Sequence, residues 1–251
     1  MRIGKNRPET KAPPASRQTE KLVRKFDRSL RRTADVLVGK FGEEEAPVIR
    51  RETLAEFRRL IPEIPYIGGR RNPYSQILVG AARGLAMYRA VVLHGGSLQD
   101  TGELMHRRNR AQMQRIPRVV RHSLMRNLLI RQQERAARRS QDRRYPGDWV
   151  MEVVDGDGES FDYGLDVTEC GDLKFLRKQG AEELCPYFCD VDYVMAEAMG
   201  YELRRTKTLA WGCDRCDFRI SLDGVTSACW PPKLVEQTCG EPEAADGGSV
   251  S

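Results

Sequence analysis

The first 144 residues alternate between stretches with apolar residues at helical spacing and short breaks rich in Pro or Gly. Apolar residues three and four positions apart share one helix face, so this pattern predicts amphipathic helices. A first helix is predicted over residues 20–40, closed by Gly39 and Gly42, and a second helix is predicted after Pro47. Residues 62–69 contain two prolines and two glycines, and they are predicted to end the second helix.

Residues 75–94 form the most apolar segment of the chain, and a Gly-Gly pair follows it directly. Arg83 and Arg89 interrupt the segment, which falls short of the ~20 apolar residues that a membrane-spanning helix needs. We therefore interpret it as a buried core helix. Ser97 is predicted to be the N-cap of the next helix, because its side-chain oxygen can accept a hydrogen bond from a free backbone N–H group.

The pattern changes after residue 146 to short β-type runs and two further helices. In chain order, the predicted elements are strands 149–154 and 161–167, helices 173–180 and 182–199, and strands 201–209 and 216–222. This ββααββ order is typical of an antiparallel sheet with helices on one face. The fold class is therefore predicted to be α+β, with an N-terminal helical region preceding the sheet.

Four segments follow from this reading. They are a disordered tail over 1–20, a helical region over 21–146, an α+β cysteine-bearing domain over 147–222, and a second disordered tail over 235–251.

Composition adds an electrostatic preference. The chain has 251 residues, 40% hydrophobic and 31% charged, with a formal net charge of +6. A net positive charge favours an anionic partner or substrate, although it does not specify a fold. The charged, Pro-rich start of the sequence contains no apolar leader, so a cytoplasmic protein without membrane partners is expected.

An arginine-rich segment spans residues 107–144, which hold thirteen arginines and only two acidic residues. Leu124, Leu128 and Leu129 leave a thin apolar stripe that predicts a helix here as well. Basic helices can bind nucleic acid. Few aromatic residues interleave with these arginines, so stacking on single strands is not indicated, and nucleic acid is a disfavoured partner. A homo-oligomer is compatible with the sequence.

All seven cysteines lie in the last third of the chain. Without a secretory leader a disulfide framework is not expected. Cysteines that crowd into one part of an intracellular protein suggest catalysis, metal binding or small core residues.

The densest group of reactive residue types lies between residues 169 and 220. Cys185 and Cys189 are four residues apart, so a helix would place them on one face, and Asp192 follows on nearly the same face. If the strands fold back over this helix, a second group of residues could approach it, namely Cys170, Cys216 and Arg205.

Four motifs follow one another in a fixed order. Cys170 follows a predicted strand, Cys189 and Asp192 form a C-x-x-D motif, an R-T-x-T-L-A-x-G run spans 205–212, and a C-D-F-R run spans 216–219. Over roughly residues 75–220 the chain resembles the L-2-amino-thiazoline-4-carboxylic acid hydrolase family. The resemblance implies a hydrolase that opens a 2-aminothiazoline ring to an N-carbamoyl cysteine.

The chemistry of such a ring suggests a role for each residue. Its C2 atom is an amidine-like electrophile that a thiolate can attack, so Cys189 is our candidate nucleophile and Asp192 the candidate general base. Arg205 is the candidate clamp for a substrate carboxylate. The supporting assignments are Cys170 and Cys216 as additional catalytic thiols or metal ligands, and Thr206, Thr208 and Glu169 as substrate-binding residues.

Zinc is the alternative chemistry, because Cys213-x-x-Cys216 has the spacing of a ligand pair and Cys185 with Cys189 could supply a second pair. Structural zinc pairs usually lie on turns, whereas Cys185 and Cys189 are predicted to be helical. We therefore expect no cofactor and a cysteine-dependent enzyme. A non-catalytic module of the same fold that binds a small molecule or zinc is the second hypothesis.

Overall fold

The structure is a computed structural model that describes residues 16–114, 124–227 and Trp230. Most of the two predicted tails, and part of the predicted arginine-rich helix, lie outside these residues. The helices and strands in chain order are α1 Ser16–Arg31, α2 Ala34–Leu60, α3 Ser75–Leu93, α4 Leu98–Met113, α5 Leu124–Ser140, β1 Val150–Asp155, β2 Tyr163–Glu169, α6 Gly171–Lys178, α7 Cys185–Met199, β3 Glu202–Arg204 and β4 Cys216–Ser221. The α+β class is confirmed.

The first two helices divide at a different place from the one predicted. α1 ends at Arg31, and α2 runs from Ala34 through Pro47 to Leu60. Gly42 has a φ of 82° and a ψ of 171°, a non-helical conformation that glycine adopts without steric cost, and α2 divides there into two helical segments across a kink. The prediction of one continuous helix over 20–40 was therefore wrong, because α1 ends at Arg31, whereas the predicted end at Gly42 coincides with this kink.

The apolar segment forms α3, which is long and apolar enough to cross a membrane by length and composition alone. In this fold α3 instead supplies the centre of the core, since Leu78, Ala82 and Leu85 are completely buried. α3 packs against α2, α4 and α6. The prediction of a buried core helix is confirmed.

Ser97 caps α4 as predicted. Its side chain accepts a hydrogen bond of 3.0 Å from the backbone N–H of Asp100, and the Asp100 carboxylate accepts one of 2.8 Å from the backbone N–H of Ser97. This reciprocal capping box satisfies two N–H groups that have no partner within the helix. Farther along α4, buried His106 lies 2.7 Å from the carboxylate of Asp190, and this contact joins α4 to α7.

The four strands form one antiparallel sheet in the order β1-β2-β4-β3. The third strand is shorter than predicted, since it ends at Arg204 and a short 3₁₀ helix occupies Leu209–Trp211. Beyond Arg204, the backbone N–H groups of Thr206 and Lys207 donate hydrogen bonds to the carboxylate of Asp217 and not to the backbone of a neighbouring strand. The Thr208 side chain then caps the 3₁₀ helix by accepting a hydrogen bond from the backbone N–H of Ala210. The sheet and the N-terminal helices share one hydrophobic core.

Candidate active site

A cavity of about 350 Å³ lies between the sheet and α7. Alternate residues of a strand point to the same face of a sheet, and this periodicity brings side chains from three strands to the cavity floor. They are Met151, Leu165, Val167, Cys216, Phe218 and Ile220. α7 closes the opposite side with Phe188, Cys189, Asp192 and Met195. The fold therefore gathers Cys170, Cys189, Cys216, Asp192 and Arg205 around one space, as the sequence predicted.

Three thiols form a chain of contacts at one end of this cavity. Cys185 and Cys189 lie on successive turns of α7, and Cys170 is the N-cap residue of α6. Hydrogen bonds from Cys185 to both Cys170 and Cys189, together with burial, raise the pKa of the Cys185 thiol well above its usual range. Cys185 is therefore a protonated donor at neutral pH, and it can stabilise negative charge on its neighbour.

The Cys189 thiol, in contrast, is more acidic than an ordinary cysteine. The hydrogen bond from Cys185 lowers the pKa of Cys189, burial opposes this effect, and the cation of Arg205 and the Thr208 hydroxyl lower it further, to about 7. An ordinary cysteine has a pKa near 8.5, so the thiolate fraction at neutral pH is about ten times larger than usual. These are the properties of a nucleophilic cysteine.

Thr208 connects the two cysteines at the cavity wall. Its hydroxyl lies 3.9 Å from the Cys189 sulfur and 3.5 Å from the Cys216 sulfur. Cys216 also accepts a hydrogen bond of 3.3 Å from the backbone N–H of Leu209. Burial, and then the charge on Cys189, raise the pKa of Cys216 to about 12. Cys216 is therefore a neutral thiol, suited to supporting the site and not to attacking a substrate.

Arg205 is a buried cation against the same wall, with only 4% of its surface exposed. It donates a hydrogen bond of 3.0 Å to Asp192 and another of 3.2 Å to the carbonyl oxygen of Cys189. The guanidinium also stacks 4.7 Å from the ring centre of Phe218. Burial alone would lower the pKa of Arg205, but the charges of Cys189 and Asp192 outweigh burial and raise it, so Arg205 stays cationic.

Asp192 is the charge partner of Arg205. Its side chain is partly exposed to the cavity. Burial raises the pKa of Asp192 even though Arg205 opposes the shift. The C-x-x-D motif therefore joins Cys189 to Arg205, with Asp192 holding the guanidinium one helical turn beyond Cys189.

Two predicted substrate-binding residues lie away from this cavity. Thr206 is exposed, and its hydroxyl donates a hydrogen bond of 2.6 Å to Asp217. Glu169 forms ion pairs with Lys174 and Arg143 beside a second cavity, of about 700 Å³. Both side chains are bonded to nearby residues, Thr206 to Asp217 and Glu169 to Lys174 and Arg143, and neither lines the cavity that holds the thiols.

Cys213 was expected to be a free thiol or a zinc ligand. It is instead disulfide-bonded, whereas Cys170, Cys185, Cys189 and Cys216 are free. A disulfide sulfur cannot act as a thiolate ligand, so this structure does not supply the Cys213-x-x-Cys216 pair. Within residues 16–114 and 124–227, no group of three or more His, Cys, Asp or Glu side chains is arranged to hold a metal ion.

From the sequence, no role was assigned to Asp172, and Cys185 was considered only as a neighbour of Cys189 on one helix face and as a candidate zinc ligand. Asp172 is 8% exposed and lies at the start of α6, where its side chain lines the cavity. Burial, and then the charges of Cys189 and Asp192, raise the pKa of Asp172 to about 8. The predicted helix began at residue 173 and therefore left Asp172 in a loop. The sequence indicated a role for Asp172 only through its position two residues after Cys170.

The cavity thus brings together Cys189 with its lowered pKa, the cation of Arg205 and the carboxyl group of Asp172 with its raised pKa. The family model described as L-2-amino-thiazoline-4-carboxylic acid hydrolase matches residues 79–220, more than half of the chain. The chain belongs to this family, whose name denotes a hydrolase. No curated protein and no solved structure matches the chain.

Proposed function

We propose that this protein hydrolyses a small cyclic amidine of the 2-aminothiazoline type, with Cys189 as the nucleophile. The observation that carries the proposal is the Cys189 thiol, whose pKa of about 7 results from contacts with Cys185, Arg205 and Thr208 on the wall of the cavity between the sheet and α7. Family membership supports hydrolysis as the reaction type. The thiol chemistry explains why such a substrate would need this site.

The C2 atom of a 2-aminothiazoline is bonded to two nitrogens and one sulfur. Attack by the Cys189 thiolate on C2 forms a tetrahedral centre, and cleavage of the C2–S bond opens the ring. The product of this step is an isothiourea attached to Cys189. Water then attacks the same carbon and releases the thiolate, leaving a urea. Covalent catalysis of this kind divides one difficult substitution into two easier steps.

A substrate carboxylate would be recognised by Arg205. Among the described residues that line the cavity, Arg205 is the only cationic side chain, whereas Asp172 and Asp192 are acidic. The Arg205 guanidinium already pairs with Asp192. The role of Arg205 as a clamp for the substrate carboxylate, predicted from the sequence, therefore stays a proposal. We propose that Asp192 fixes the orientation of Arg205. The assignment of Asp192 as a general base also stays a prediction.

The size and lining of the cavity favour a substrate with an apolar body. Its volume of about 350 Å³ corresponds to about a dozen water molecules, at ~30 Å³ each. Its apolar lining includes Phe188, Met195 and Phe218. Ligand cavities of this kind gain most of their affinity from apolar contact and use a few polar groups for orientation. A thiazoline with an additional apolar substituent would fill the space.

The direct test is to incubate the purified protein with 2-aminothiazoline-4-carboxylate and to measure N-carbamoyl cysteine by mass spectrometry. Cys189→Ala should abolish turnover. Brief labelling of the wild type with iodoacetamide at pH 7, followed by peptide mapping, should modify Cys189 first. Cys216, with a pKa of about 12, is the internal control and should react slowest.

Turnover in Cys189→Ala at the wild-type rate would refute the nucleophile assignment. Absence of turnover in the wild type, both with this substrate and with analogues that carry an apolar substituent, would refute the proposed function.

A further inference from the structure

We propose that Asp172 is the proton donor and acceptor of this reaction, protonating the ring as it opens and deprotonating water in the second step. The inference rests on the proposed function and deepens it. The thiol chemistry leaves unexplained a buried carboxyl group that lines the same cavity, one oxygen of which has no hydrogen-bond partner among the described residues.

Asp172 occupies the first turn of α6, directly after Cys170. Its side chain is 92% buried, since only 8% is exposed, and it lines the same cavity as Cys189. The Oδ1 atom is buried without a hydrogen-bond partner in the described part of the chain. Buried polar atoms are usually satisfied, so an unsatisfied carboxyl oxygen that faces a cavity indicates a group kept ready for a ligand.

Two opposing effects decide the charge of Asp172. The positive end of a helix favours a carboxylate by about 0.3–1 kcal/mol, which is less than one unit of pKa. Burial favours the neutral acid much more strongly, and with the nearby charges of Cys189 and Asp192 it raises the pKa of Asp172 to about 8. Burial therefore dominates, and Asp172 is mainly protonated at neutral pH.

The other carboxyl group of the cavity is less suited to this role. Asp192 accepts a hydrogen bond of 3.0 Å from buried Arg205, and protonation of Asp192 would leave that cation without its partner. The Oδ1 atom of Asp172, by contrast, accepts no hydrogen bond within the part of the chain that the structure describes. The two acids are therefore suited to different tasks, Asp192 to fixing the arginine and Asp172 to moving a proton.

Asp172 and Cys189 have pKa values shifted to about 8 and about 7, both close to neutral pH. Burial raises the pKa of Tyr74 to about 12 and that of Cys216 to about 12, and hydrogen bonds raise that of Cys185. Cys170 and Tyr201 also line the cavity.

Charged groups on the elements packed around α6 are engaged elsewhere. Arg89 of α3 pairs with Glu56, and Arg83 of α3 stacks on Phe26 and Phe57. Glu182 and Glu183, which precede α7, contact Arg177 and Tyr88. On α6 itself, Lys174 pairs with Glu169 and Lys178 with Glu63.

Protons and bonds balance with one thiolate and one carboxylic acid. In the first step Cys189 sulfur bonds to C2, Asp172 gives its proton to the ring nitrogen, and the C2–S bond breaks. The departing sulfur takes a proton from the resulting isothiouronium, so the step ends with a free substrate thiol and an ionised Asp172. In the second step Asp172 takes a proton from the attacking water, and the carbon–Cys189 bond breaks. Thiolate and acid are both restored.

This assignment predicts a bell-shaped pH profile. Activity requires Cys189 to be ionised, with a pKa of about 7, and Asp172 to be protonated, with a pKa of about 8. The rate should therefore rise through pH 7 and fall above pH 8. The test is kcat/KM for 2-aminothiazoline-4-carboxylate from pH 5.5 to 9.5 in the wild type, Asp172→Asn, Asp172→Glu and the exposed control Asp155→Asn.

The kcat of Asp172→Asn should be at least 100-fold lower than that of the wild type, and its kcat/KM should no longer fall above pH 8. Asp172→Glu should retain part of the wild-type rate and should again show a fall in kcat/KM at high pH. Asp155→Asn should match the wild type. Turnover in Asp172→Asn with an unchanged basic limb would overturn the role of Asp172 while leaving the proposed function intact. Absence of wild-type turnover would overturn both.

Discussion

Arg205 donates a hydrogen bond of 3.2 Å to the backbone carbonyl oxygen of Cys189, so the cation that lowers the thiol pKa also fixes the residue that bears the thiol. The guanidinium can do this while paired with Asp192, because its planar fork presents several donors at once. The acidity of the Cys189 thiol and the position of Cys189 therefore both depend on one buried side chain.

Replacing Arg205 with Lys should show that charge alone is insufficient. Lysine keeps the positive charge but loses the fork and the stacking on Phe218, so at least one charged hydrogen bond is lost. At about 1.5–3 kcal/mol for such a bond, kcat/KM should fall by about 10- to 100-fold. Arg177→Lys, on the exposed side of α6, is the control. Equal activity in the two variants would show that the fork is unimportant.

Cys185 should control the acidity of Cys189. In Cys185→Ala the hydrogen bond to Cys189 disappears, so the pKa of Cys189 should rise by about one unit. The rate of iodoacetamide labelling of Cys189 against pH measures this shift. Cys170→Ala removes a thiol that contacts Cys185 instead, so its effect should be smaller. An unchanged labelling profile in Cys185→Ala would assign the low pKa to Arg205 and Thr208 alone.

Periodicity predicted the architecture well, because the residues that face the core repeat at the spacing of each element. The apolar segment of α3, the Ser97 cap and the order of strands and helices after residue 146 are confirmed. The errors lie at element boundaries. The chain breaks between Arg31 and Ala34, inside the predicted first helix, and the third strand ends at Arg204, well before its predicted end.

The candidate site was predictable only in part, for a physical reason. Cys185 and Cys189 share a helix face through local geometry, which sequence spacing reveals. The state of Asp172 depends on burial by residues distant in the chain, and no local pattern contains that information. Glu169 was assigned to the site because it adjoins Cys170, but Lys174 and Arg143 hold it elsewhere.

Gly84 of α3 should limit the shape of the cavity. A Cβ atom at this position would lie 2.4 Å from the ring of Phe188, which lines the cavity next to Cys189. Gly84→Ala should therefore push Phe188 into the cavity and raise KM, with a loss of about 1–3 kcal/mol in stability from overpacking. Thermal unfolding and steady-state kinetics measure the two effects.

Gly80 provides the matched control, since it lies one turn earlier on α3 and a Cβ atom there would meet nothing within 4 Å. Gly80→Ala should leave KM unchanged and stabilise the helix by about 0.5–1 kcal/mol. If both variants raised KM equally, the contact between Gly84 and Phe188 would not be the cause.

Asp172 should make the protein less stable as the pH rises, and Asp172→Asn should remove this dependence. The pKa of Asp172 is raised from 3.8 to about 8 on folding, so the folded state holds a proton that the unfolded chain has released. The stabilising contribution of Asp172 is therefore complete below pH 4 and is lost as the pH rises towards 8. At pH 7 the cost relative to an uncharged residue is on the order of 2–4 kcal/mol. Urea unfolding at pH 5, 7 and 9 should show a gain in stability for Asp172→Asn that grows with pH, accompanied by loss of activity. A structural carboxylate would give the opposite result, with the variant less stable at every pH.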